Sequence, residues 1–429
     1  MQIHIVQSGD SLWNIAHTYQ SSVANIIQAN DIPDPNRLVV GQALVIPIWG
    51  EFYWVQPGDS LWAIGQRYEI NYLTLAEINQ IDANQPLRVG LRIYIPPRQR
   101  RRAETNAYIE PRGTTVSQSL LNEARAVGPF LTYLAPFSYE ARRDGSLQAQ
   151  PLTGIPEVAQ ASGASLMMVV TNLEGGQFSG DLGRDILQST AVQELLLNNI
   201  IAETRRVGRF TDVHFDFEFL PGDQRQAYNA FLRRAVERLR AEGLLISSAL
   251  APKTRADQPG QWYEAHDYRA HGEIVDFVVL MTYEWGYSGG PPMAVSPIGP
   301  VEQVIQYALT EMPASKIMMG QNLYGYDWTL PFVPGGQYAR AVSPQLAIEI
   351  ARDYNVSIQY DQQAQAPHFD YVDEQGRSHK VWFEDARSIQ AKFDLIKRLG
   401  LRGVSYWKLG LPFPQNWLLI QENFEVIKR

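Results

Sequence analysis

The chain has 429 residues, more than a single domain usually contains, so we expect two or more domains. Hydrophobic residues make up 45% and charged residues 19%, which is typical of a folded protein and excludes extensive disorder. The net charge of -8 argues against nucleic acid as the main partner, because phosphate binding draws on clustered Lys and Arg. Cysteine is absent, which excludes disulfides, thiol catalysis and thiolate metal sites.

The N-terminal segment Met1–Val6 has no basic region followed by a long apolar stretch, so it lacks the pattern of a signal peptide. No run of the sequence approaches the roughly 18 apolar residues that a membrane span needs. We therefore expect synthesis as a soluble cytoplasmic product without membrane insertion. Any export would follow another route or cell lysis.

The N-terminal part of the chain contains a duplication. The segment Val6–Trp13 (VQSGDSLW) returns as Val55–Trp62 (VQPGDSLW), and the offset of 49 residues also relates Asn30 to Asn79. A fixed offset of this kind marks a tandem repeat. Each copy predicts a strand that ends at a Gly-Asp turn, a helix capped by the following Ser, a second helix and a closing strand that ends at proline.

The first predicted helix of each copy has apolar residues at helical spacing. Trp13 and Ile15 in the first copy, and Trp62 and Ile64 in the second, are therefore expected in the module cores. For the Gly-Asp-Ser loops we favour ligand contact over a purely structural turn, because such loops expose backbone donors and acceptors.

Both copies resemble the LysM domain from end to end, through the V-Q-x-G-D-S-L-W pattern and the Asn, Val-Gly and Ile-Pro positions that follow it. The resemblance implies a βααβ fold, here residues 1–48 and 51–97, that binds N-acetylglucosamine-containing polymers such as peptidoglycan or chitin. It places a shallow groove between the Gly-Asp-Ser-Leu loop and the loop after the second helix. The groove residues implied for this chain are Gly9, Asp10, Ser11, Leu12, Asn30, Asp31 and Ile32 in the first copy, and Gly58, Asp59, Ser60, Leu61, Asn79, Gln80 and Ile81 in the second.

A basic cluster, Arg98–Arg102, follows the proline pair Pro96-Pro97. This composition indicates a solvated linker at 98–103. The alternative is that the cluster attracts an anionic wall polymer.

Residues 104–429 alternate short apolar runs with longer amphipathic stretches. The eight runs are Ala107–Ile109, Phe130–Leu134, Leu166–Val170, Val213–Phe219, Leu245–Ala249, Phe277–Met281, Ile317–Gly320 and Gly403–Trp407. This order predicts an α/β fold, a (β/α)₈ barrel with its active site at the carboxyl ends of the strands. Between the last two strands, 331–385 is predicted to be an insertion that walls the cleft, with a hairpin turn at Asp373–Gly376.

Acidic residues fill one face of the fourth predicted barrel strand. Because strand side chains alternate, Asp212, His214, Asp216 and Glu218 share the face directed into the barrel. Grouped, desolvated carboxyls raise at least one pKa, and a Glu that stays protonated near neutrality is what a glycosidic leaving group requires. The segment Phe219–Gly222 ends the strand and places Glu218 at the mouth of the barrel. The alternative is a half-exposed strand whose acids meet solvent or Arg partners.

Here the chain resembles glycoside hydrolase family 18, whose fourth strand reads D-x-x-D-x-D-x-E. Leu280–Glu284 (LMTYE) matches the M-x-Y-D of the sixth strand, Trp382–Ser388 matches the approach to the last helix, and Gly403–Trp407 matches the eighth strand. The resemblance implies that Glu218 protonates the glycosidic oxygen and later activates water. It also implies that Asp216 orients the acetamido group of the substrate, which acts as the nucleophile.

The same resemblance gives roles to residues around this pair. It implies that Tyr283 hydrogen-bonds the acetamido group and that Trp407 forms the floor under the reactive sugar, although Trp407 could also be a core residue. We expect further sugar contacts from His214, Glu284, Trp285, Asn322 and Tyr324. No metal and no cofactor are expected.

The sequence departs from the family pattern at three positions. The first two Asp positions of the fourth strand are Thr211 and His214, and the Asp after the sixth-strand Tyr is Glu284. His214 either supplies a hydrogen bond to Asp216 or is an interior histidine with other partners.

Two LysM-like modules before such a barrel, with the motifs Met281–Tyr287 and Gly290–Pro297, resemble the cortex-lytic N-acetylglucosaminidases of endospore-forming bacteria. The resemblance implies a monomer that cleaves the bond after N-acetylglucosamine in spore peptidoglycan during germination, and that is kept in the cortex or coat after synthesis in the mother cell. The alternatives are a chitinase with the same chemistry and a non-catalytic wall-binding lectin or coat protein. An amidase or protease is a weaker alternative, since the chain has no Cys nucleophile and no clear metal cluster.

Overall fold

The computed structural model describes residues 1–97 and 99–429, so Arg98 of the predicted linker lies outside the described residues. Each N-terminal copy folds as strand, helix, helix and strand, with its two strands paired antiparallel, which confirms the predicted order. The elements are Gln2–Ile5, Leu12–Tyr19, Val23–Asn30 and Ala43–Ile46 in the first module, and Glu51–Trp54, Leu61–Tyr68, Tyr72–Asn79 and Arg92–Ile95 in the second.

The Ser of each Gly-Asp-Ser loop caps the helix that follows it. Ser11 Oγ accepts a hydrogen bond from Asn14 N at 3.2 Å, and Ser60 Oγ accepts one from Ala63 N at 3.1 Å. Each cap satisfies one of the helix's otherwise unpaired N–H groups, so the local sequence fixes where both helices begin.

Ile15 and Ile64 are buried, as predicted. Trp13 and Trp62 are 68% and 61% exposed, so the prediction that they lie in the module cores was wrong. In the helix Leu12–Tyr19 the residues at i, i+3, i+4 and i+7 already complete the inward stripe. Trp13, one position after the first of them, therefore projects to solvent.

The rest of the chain forms the predicted barrel of eight parallel strands. They are Arg101–Ile109, Tyr133–Pro136, Ser165–Thr171, Phe210–Asp216, Leu245–Leu250, Phe277–Leu280, Ile317–Asn322 and Gly403–Trp407. The eighth strand pairs with the first, with Tyr406 opposite Ala107, and this closes the circle. The fourth strand lies between the third and the fifth.

Helices surround the barrel, one further helix lies in the insertion, and short strands and turns lie in the loops. The helices are Gln118–Val127, Ile155–Ser162, Gly180–Gln188, Thr190–Val207, Arg225–Arg240, Tyr268–Ile274, Ile298–Glu311, Pro344–Asp353, Ala386–Leu399 and Pro414–Asn423. The 3₁₀ turns are Gly128–Phe130, Gly222–Gln224 and Ala314–Lys316. The short strands outside the barrel and the insertion are Tyr139–Ala141, Leu147–Gln148, Leu173–Glu174, Gln177–Phe178 and Phe424–Val426. Within residues 1–97 and 99–429, no helix has the length and apolar character needed to cross a membrane.

In the fourth strand, apolar and polar side chains lie on opposite faces of the barrel wall. Val213 and Phe215 point outward and pack beneath the helices, where the Phe215 ring lies 5.2 Å from the ring of Phe231. His214 and Asp216 alternate with them and point inward. Burial of the apolar set against the helices therefore forces the polar set into the barrel interior.

The first barrel strand begins at Arg101, so residues 101–103 of the predicted linker lie in a strand. Arg101 is paired with Phe424, and its Nη1 donates to the carbonyl of Lys397 at 3.0 Å. Pairing with the short C-terminal strand extends the first strand toward the N-terminus, which composition does not reveal.

The segment between the last two strands carries a five-stranded antiparallel sheet and the helix Pro344–Asp353. In sheet order the strands are Arg340–Val342, Gly325–Thr329, Ser378–Trp382, Ala366–Val372 and Gln359–Asp361. The predicted hairpin is confirmed, because Asp373 N donates to the carbonyl of Arg377 at 2.9 Å between two paired strands. The sheet starts at Gly325, a few residues before the predicted insertion.

Candidate active site

A cavity of about 1480 Å³ opens at the carboxyl ends of the barrel strands. The side chains that line it come from loops after most of the strands and from the insertion sheet. Six residues predicted from the sequence meet here, and they are Asp216, Glu218, Tyr283, Glu284, Tyr324 and Trp407.

Glu218 lies just beyond the fourth strand, which ends at Asp216 rather than at Phe219 as predicted. Asn172, which follows the third strand, holds the main chain of Glu218 at both polar groups. Glu218 N donates to Asn172 Oδ1 at 2.9 Å, and Asn172 Nδ2 donates to the Glu218 carbonyl at 2.9 Å. The next residue, Phe219, has φ 54° and turns the chain out of the barrel. The Asn172 side chain thus holds the main chain of Glu218 in place of the hydrogen bonds that a neighbouring strand would supply.

Glu218 is 8% exposed and lines the cavity. Burial, and then the neighbouring carboxyl of Asp216, raise the pKa of Glu218 well above its ordinary value. Trp262 donates its indole N–H to Glu218 Oε2, and this hydrogen bond lowers the pKa in part. The net rise favours the protonated form of Glu218, which is the form that a general acid needs.

Asp216 lies directly before this acid on the inward face. Burial raises the pKa of Asp216 to about 7. Its Oδ1 is buried, and within residues 1–97 and 99–429 it has no hydrogen-bond partner. Buried polar atoms are rarely left unpaired, so this oxygen is an acceptor without a partner beside the cavity.

His214 does not line the cavity and makes no hydrogen bond to Asp216. Its Nε2 lies 2.9 Å from Tyr108 Oη and its Nδ1 lies 2.8 Å from Ser247 Oγ, which donates to Asp212 Oδ1 at 2.7 Å. Since the Ser247 hydroxyl proton goes to Asp212, we assign the His214 proton to Nδ1. Burial lowers the pKa of His214 to about 3, so the ring is neutral at physiological pH. The structure favours the interior histidine over a partner for Asp216.

Glu284, which replaces the family's Asp, is held by two tyrosines. It accepts hydrogen bonds from the hydroxyls of Tyr324 and Tyr326, the latter at 3.1 Å. Burial raises the pKa of Glu284, and the two tyrosine hydrogen bonds oppose that rise. The preceding residue, Tyr283, lies at the cavity wall and is 8% exposed. Burial raises the pKa of Tyr283 well above its usual value, so its hydroxyl keeps its proton and remains a donor.

Trp407 ends the eighth strand and is part-exposed to the cavity. The rings of Phe137 and Tyr108 pack against it at 4.7 and 5.4 Å between centroids, both nearly edge-on. Two aromatic neighbours therefore fix the orientation of Trp407 while part of its surface stays open to a ligand.

Two further predicted sugar contacts lie behind the cavity wall. Asn322 is fully buried, and its Nδ2 donates to the carbonyl of Tyr324 at 2.6 Å. Trp285 packs against the barrel core, and its main-chain N donates to the carbonyl of Val295 at 3.0 Å. Neither residue lines the cavity. Their positions indicate that they hold the loops that carry Tyr324 and Glu284, and that they do not contact the sugar directly.

Sequence reasoning missed several aromatic residues of the wall. They are Tyr108, Phe137, Phe178, Trp262, Tyr263, Tyr287 and Tyr326. Tyr108, Phe178 and Tyr326 lie in strands, whereas the other four lie in irregular loops, where no hydrophobic period marks them. For the loop residues the usable signal was their position after predicted barrel strands, since those loops build the active sites of such barrels.

Comparison with known proteins agrees with the fold and the domain order. The family model described as glycosyl hydrolases family 18 matches residues 155–411, and the LysM domain model matches 4–47 and 53–96. The chain is 64% identical over 429 residues to a cortical fragment-lytic enzyme of Bacillus subtilis (strain 168), covering 100% of this chain and 99% of that relative. Crystal structures of the spore cortex-lytic enzyme SleL are similar over 100% of this chain and 99% of theirs. The Bacillus megaterium QM B1551 enzyme has a TM-score of 0.91 at 53% identity, and the Bacillus cereus enzyme has 0.90 at 50% identity.

Proposed function

Because the chain belongs to glycosyl hydrolases family 18 and carries two LysM domains, we propose that it hydrolyses the peptidoglycan of the bacterial spore cortex. The observation that carries this proposal is the buried acid Glu218, which lies beside Asp216 at the open end of the barrel. Relatives named as cortical fragment-lytic enzymes, similar over the full length, point to the polymer.

In the proposed reaction, Glu218 gives its proton to the glycosidic oxygen as the bond to the anomeric carbon breaks. The acetamido oxygen of the same sugar attacks that carbon, so the enzyme needs no carboxylate nucleophile. The carboxyl of Asp216 accepts the acetamido N–H, and the Tyr283 hydroxyl donates to the acetamido oxygen. Glu218, now ionised, then takes a proton from water as the water oxygen attacks the anomeric carbon. This attack opens the ring that the acetamido group had formed, and the configuration at the anomeric carbon is retained.

Trp407 forms the platform under the sugar at the reacting position. Its indole face is large and apolar with a fixed orientation, which suits the C–H face of a pyranose ring. Since the mechanism needs an acetamido group on that sugar, we propose cleavage of the bond that follows N-acetylglucosamine.

The LysM domains tether the enzyme to its polymer and raise the local substrate concentration. We propose that the protein acts as a monomer on glycan strands, without membrane insertion, and that it resides in the cortex or coat after synthesis in the mother cell. A chitinase activity is the second candidate, because chitin offers the same acetamido group at every sugar. A non-catalytic lectin is disfavoured, since the chain keeps both Glu218 and Asp216.

Mass analysis of the products released from purified spore cortex and from chitin oligomers tests the proposal. We expect cortex fragments with N-acetylglucosamine at their new reducing ends. Cleavage of chitin oligomers without cortex products would establish the chitinase instead. Binding to both polymers without products from either would establish the lectin.

A further inference from the structure

The first LysM module is packed onto the barrel through one face of its closing strand. Leu44 and Ile46 lie in the module's own core, whereas Ala43 and Val45 alternate with them and lie in the core of the barrel domain. Their partners include the helix Ala386–Leu399. A strand with two apolar faces thus serves two hydrophobic cores.

A close backbone approach reinforces this packing. Ile358 N donates to the carbonyl of Val40 at 2.9 Å, and Arg387 Nη2 donates to the carbonyl of Gly41 at 3.1 Å. A Cβ on Gly41 would lie 1.8 Å from the Ile358 carbonyl oxygen, so only glycine permits this contact. At the repeat-related Gly90 the same space is open.

The same docking reaches the loop that the LysM resemblance assigns to the groove. Gln345 Nε2 donates to the carbonyl of Asn30 at 2.8 Å and lies 3.4 Å from that of Asp31. Gln415 Nε2 donates to Asn30 Oδ1 at 3.3 Å. Side chains of the barrel domain therefore donate hydrogen bonds to polar groups on one wall of the first groove.

The second module differs at the repeat-related positions. Arg92 and Tyr94 stand where the first module has Ala43 and Val45, so that face of the strand is not apolar throughout. Arg92 Nη1 donates to the carbonyl of Thr18 at 2.9 Å, which joins the second module to the first.

In the second module, no hydrogen bond between described residues joins the corresponding groove loop to the barrel domain. Among the described residues, every hydrogen bond of the Asn79 side chain stays within its own module, to the main chain of Leu75 and Tyr94. Gln80 is exposed like its counterpart Asp31, whereas Ile81 is partly exposed and its counterpart Ile32 is buried.

We infer that the two LysM domains have different tasks. The second domain carries the open groove that binds the N-acetylglucosamine polymer, and the first is a fixed part of the barrel that holds the second in place. This division deepens the proposed function and rests on it, since it assumes a polymer of that kind as the ligand.

Hydrogen–deuterium exchange on the full-length Glu218→Gln protein, with and without a soluble chain of five N-acetylglucosamine units, tests the inference. The substitution prevents turnover during labelling. We expect the amides of 58–61 and 79–81 to exchange at least about threefold more slowly with the ligand, while those of 9–12 and 30–32 do not change. Amides near Trp262 and Tyr283 report ligand binding in the catalytic cleft of the same sample.

Equal protection in both modules, protection of the first alone, or protection of neither would overturn the inference. If the ligand does not slow exchange around Trp262 and Tyr283, this would instead count against the proposed catalytic function. The two failures are thus distinguishable in a single experiment.

Discussion

The indole N–H of Trp262 donates to Oε2 of Glu218, although the two residues are 44 positions apart in the chain. The Trp262 ring also stacks on Phe219, with centroids 6.0 Å apart and planes 11° apart. The loop after the fifth strand is therefore tied to the end of the fourth at the acid itself. Because the unprotonated oxygen of a carboxyl is the better acceptor, we assign the proton of the neutral Glu218 to Oε1.

Replacing Trp262 with Phe keeps an aromatic side chain at this position but removes the indole N–H that makes this hydrogen bond. A donor to a carboxylate stabilises its charged form, so its loss raises the pKa of Glu218 further. Activity that needs the protonated acid disappears as pH rises through that pKa, and we expect the alkaline limb of the kcat profile to move to higher pH. Tyr263→Phe is the matched control, since Tyr263 lines the cavity beside Trp262. An unmoved or lowered alkaline limb in Trp262→Phe would contradict the assignment.

Replacing Glu218 with Gln removes the acid without changing its size. General acid catalysis contributes about 10²–10⁴-fold, so we expect the rate of glycan cleavage to fall by at least that factor. Pull-down with insoluble peptidoglycan should be unchanged, because the groove residues of the LysM modules are intact. Glu123→Gln, at a carboxyl elsewhere in the cavity, is the control and should remain active. Substantial residual cleavage by Glu218→Gln would mean that another group is the acid.

Asn172→Ala removes both hydrogen bonds that hold the main chain of Glu218. We expect kcat to fall about 10–100-fold with little change in KM, because a misplaced acid affects the transition state more than substrate binding. Two buried main-chain groups lose partners, which costs about 1–3 kcal/mol of stability each. Asn172→Asp keeps the acceptor for Glu218 N and should recover part of kcat. A raised KM with unchanged kcat would show that Asn172 does not position the acid.

Asp216→Asn should stabilise the fold at alkaline pH while it abolishes activity. In the native protein the pKa of Asp216 is raised from 3.8 to about 7, so the native state holds a proton that the unfolded chain releases. Its contribution to stability is fully present below pH 3.8 and is lost as pH rises through about 7. Thermal unfolding at pH 8 and pH 4 measures the effect, with a higher Tm for Asp216→Asn expected only at pH 8. A Tm difference that does not depend on pH would contradict the raised pKa.

Gly41→Ala and Gly90→Ala form a matched pair for the docking of the first module. Both glycines have positive φ, +85° and +81°, so both substitutions carry the same backbone strain. Only Gly41→Ala also collides with the Ile358 carbonyl, and we expect it to cost about 1–3 kcal/mol more in unfolding free energy. Equal destabilisation in denaturant titrations of the two variants would show that the contact is unimportant.

Local patterns in the sequence determined the architecture and the centre of the site. The repeat at a fixed offset predicts the two LysM modules, and the alternation of strand side chains places Asp216 and Glu218 on one inward face. Side-chain period and cap residues act over a few neighbouring positions, so they can be read from the sequence alone.

Only the tertiary structure decided which groups meet across the chain. Asn172 and Trp262 lie in loops after other strands, and no local period shows that they contact Glu218. The partners of His214, the solvent exposure of Trp13 and the docking of Ala43 and Val45 on the barrel depend in the same way on packing. Contacts between distant segments follow from how whole elements fill space around a shared core, which the short-range pattern of a sequence does not encode.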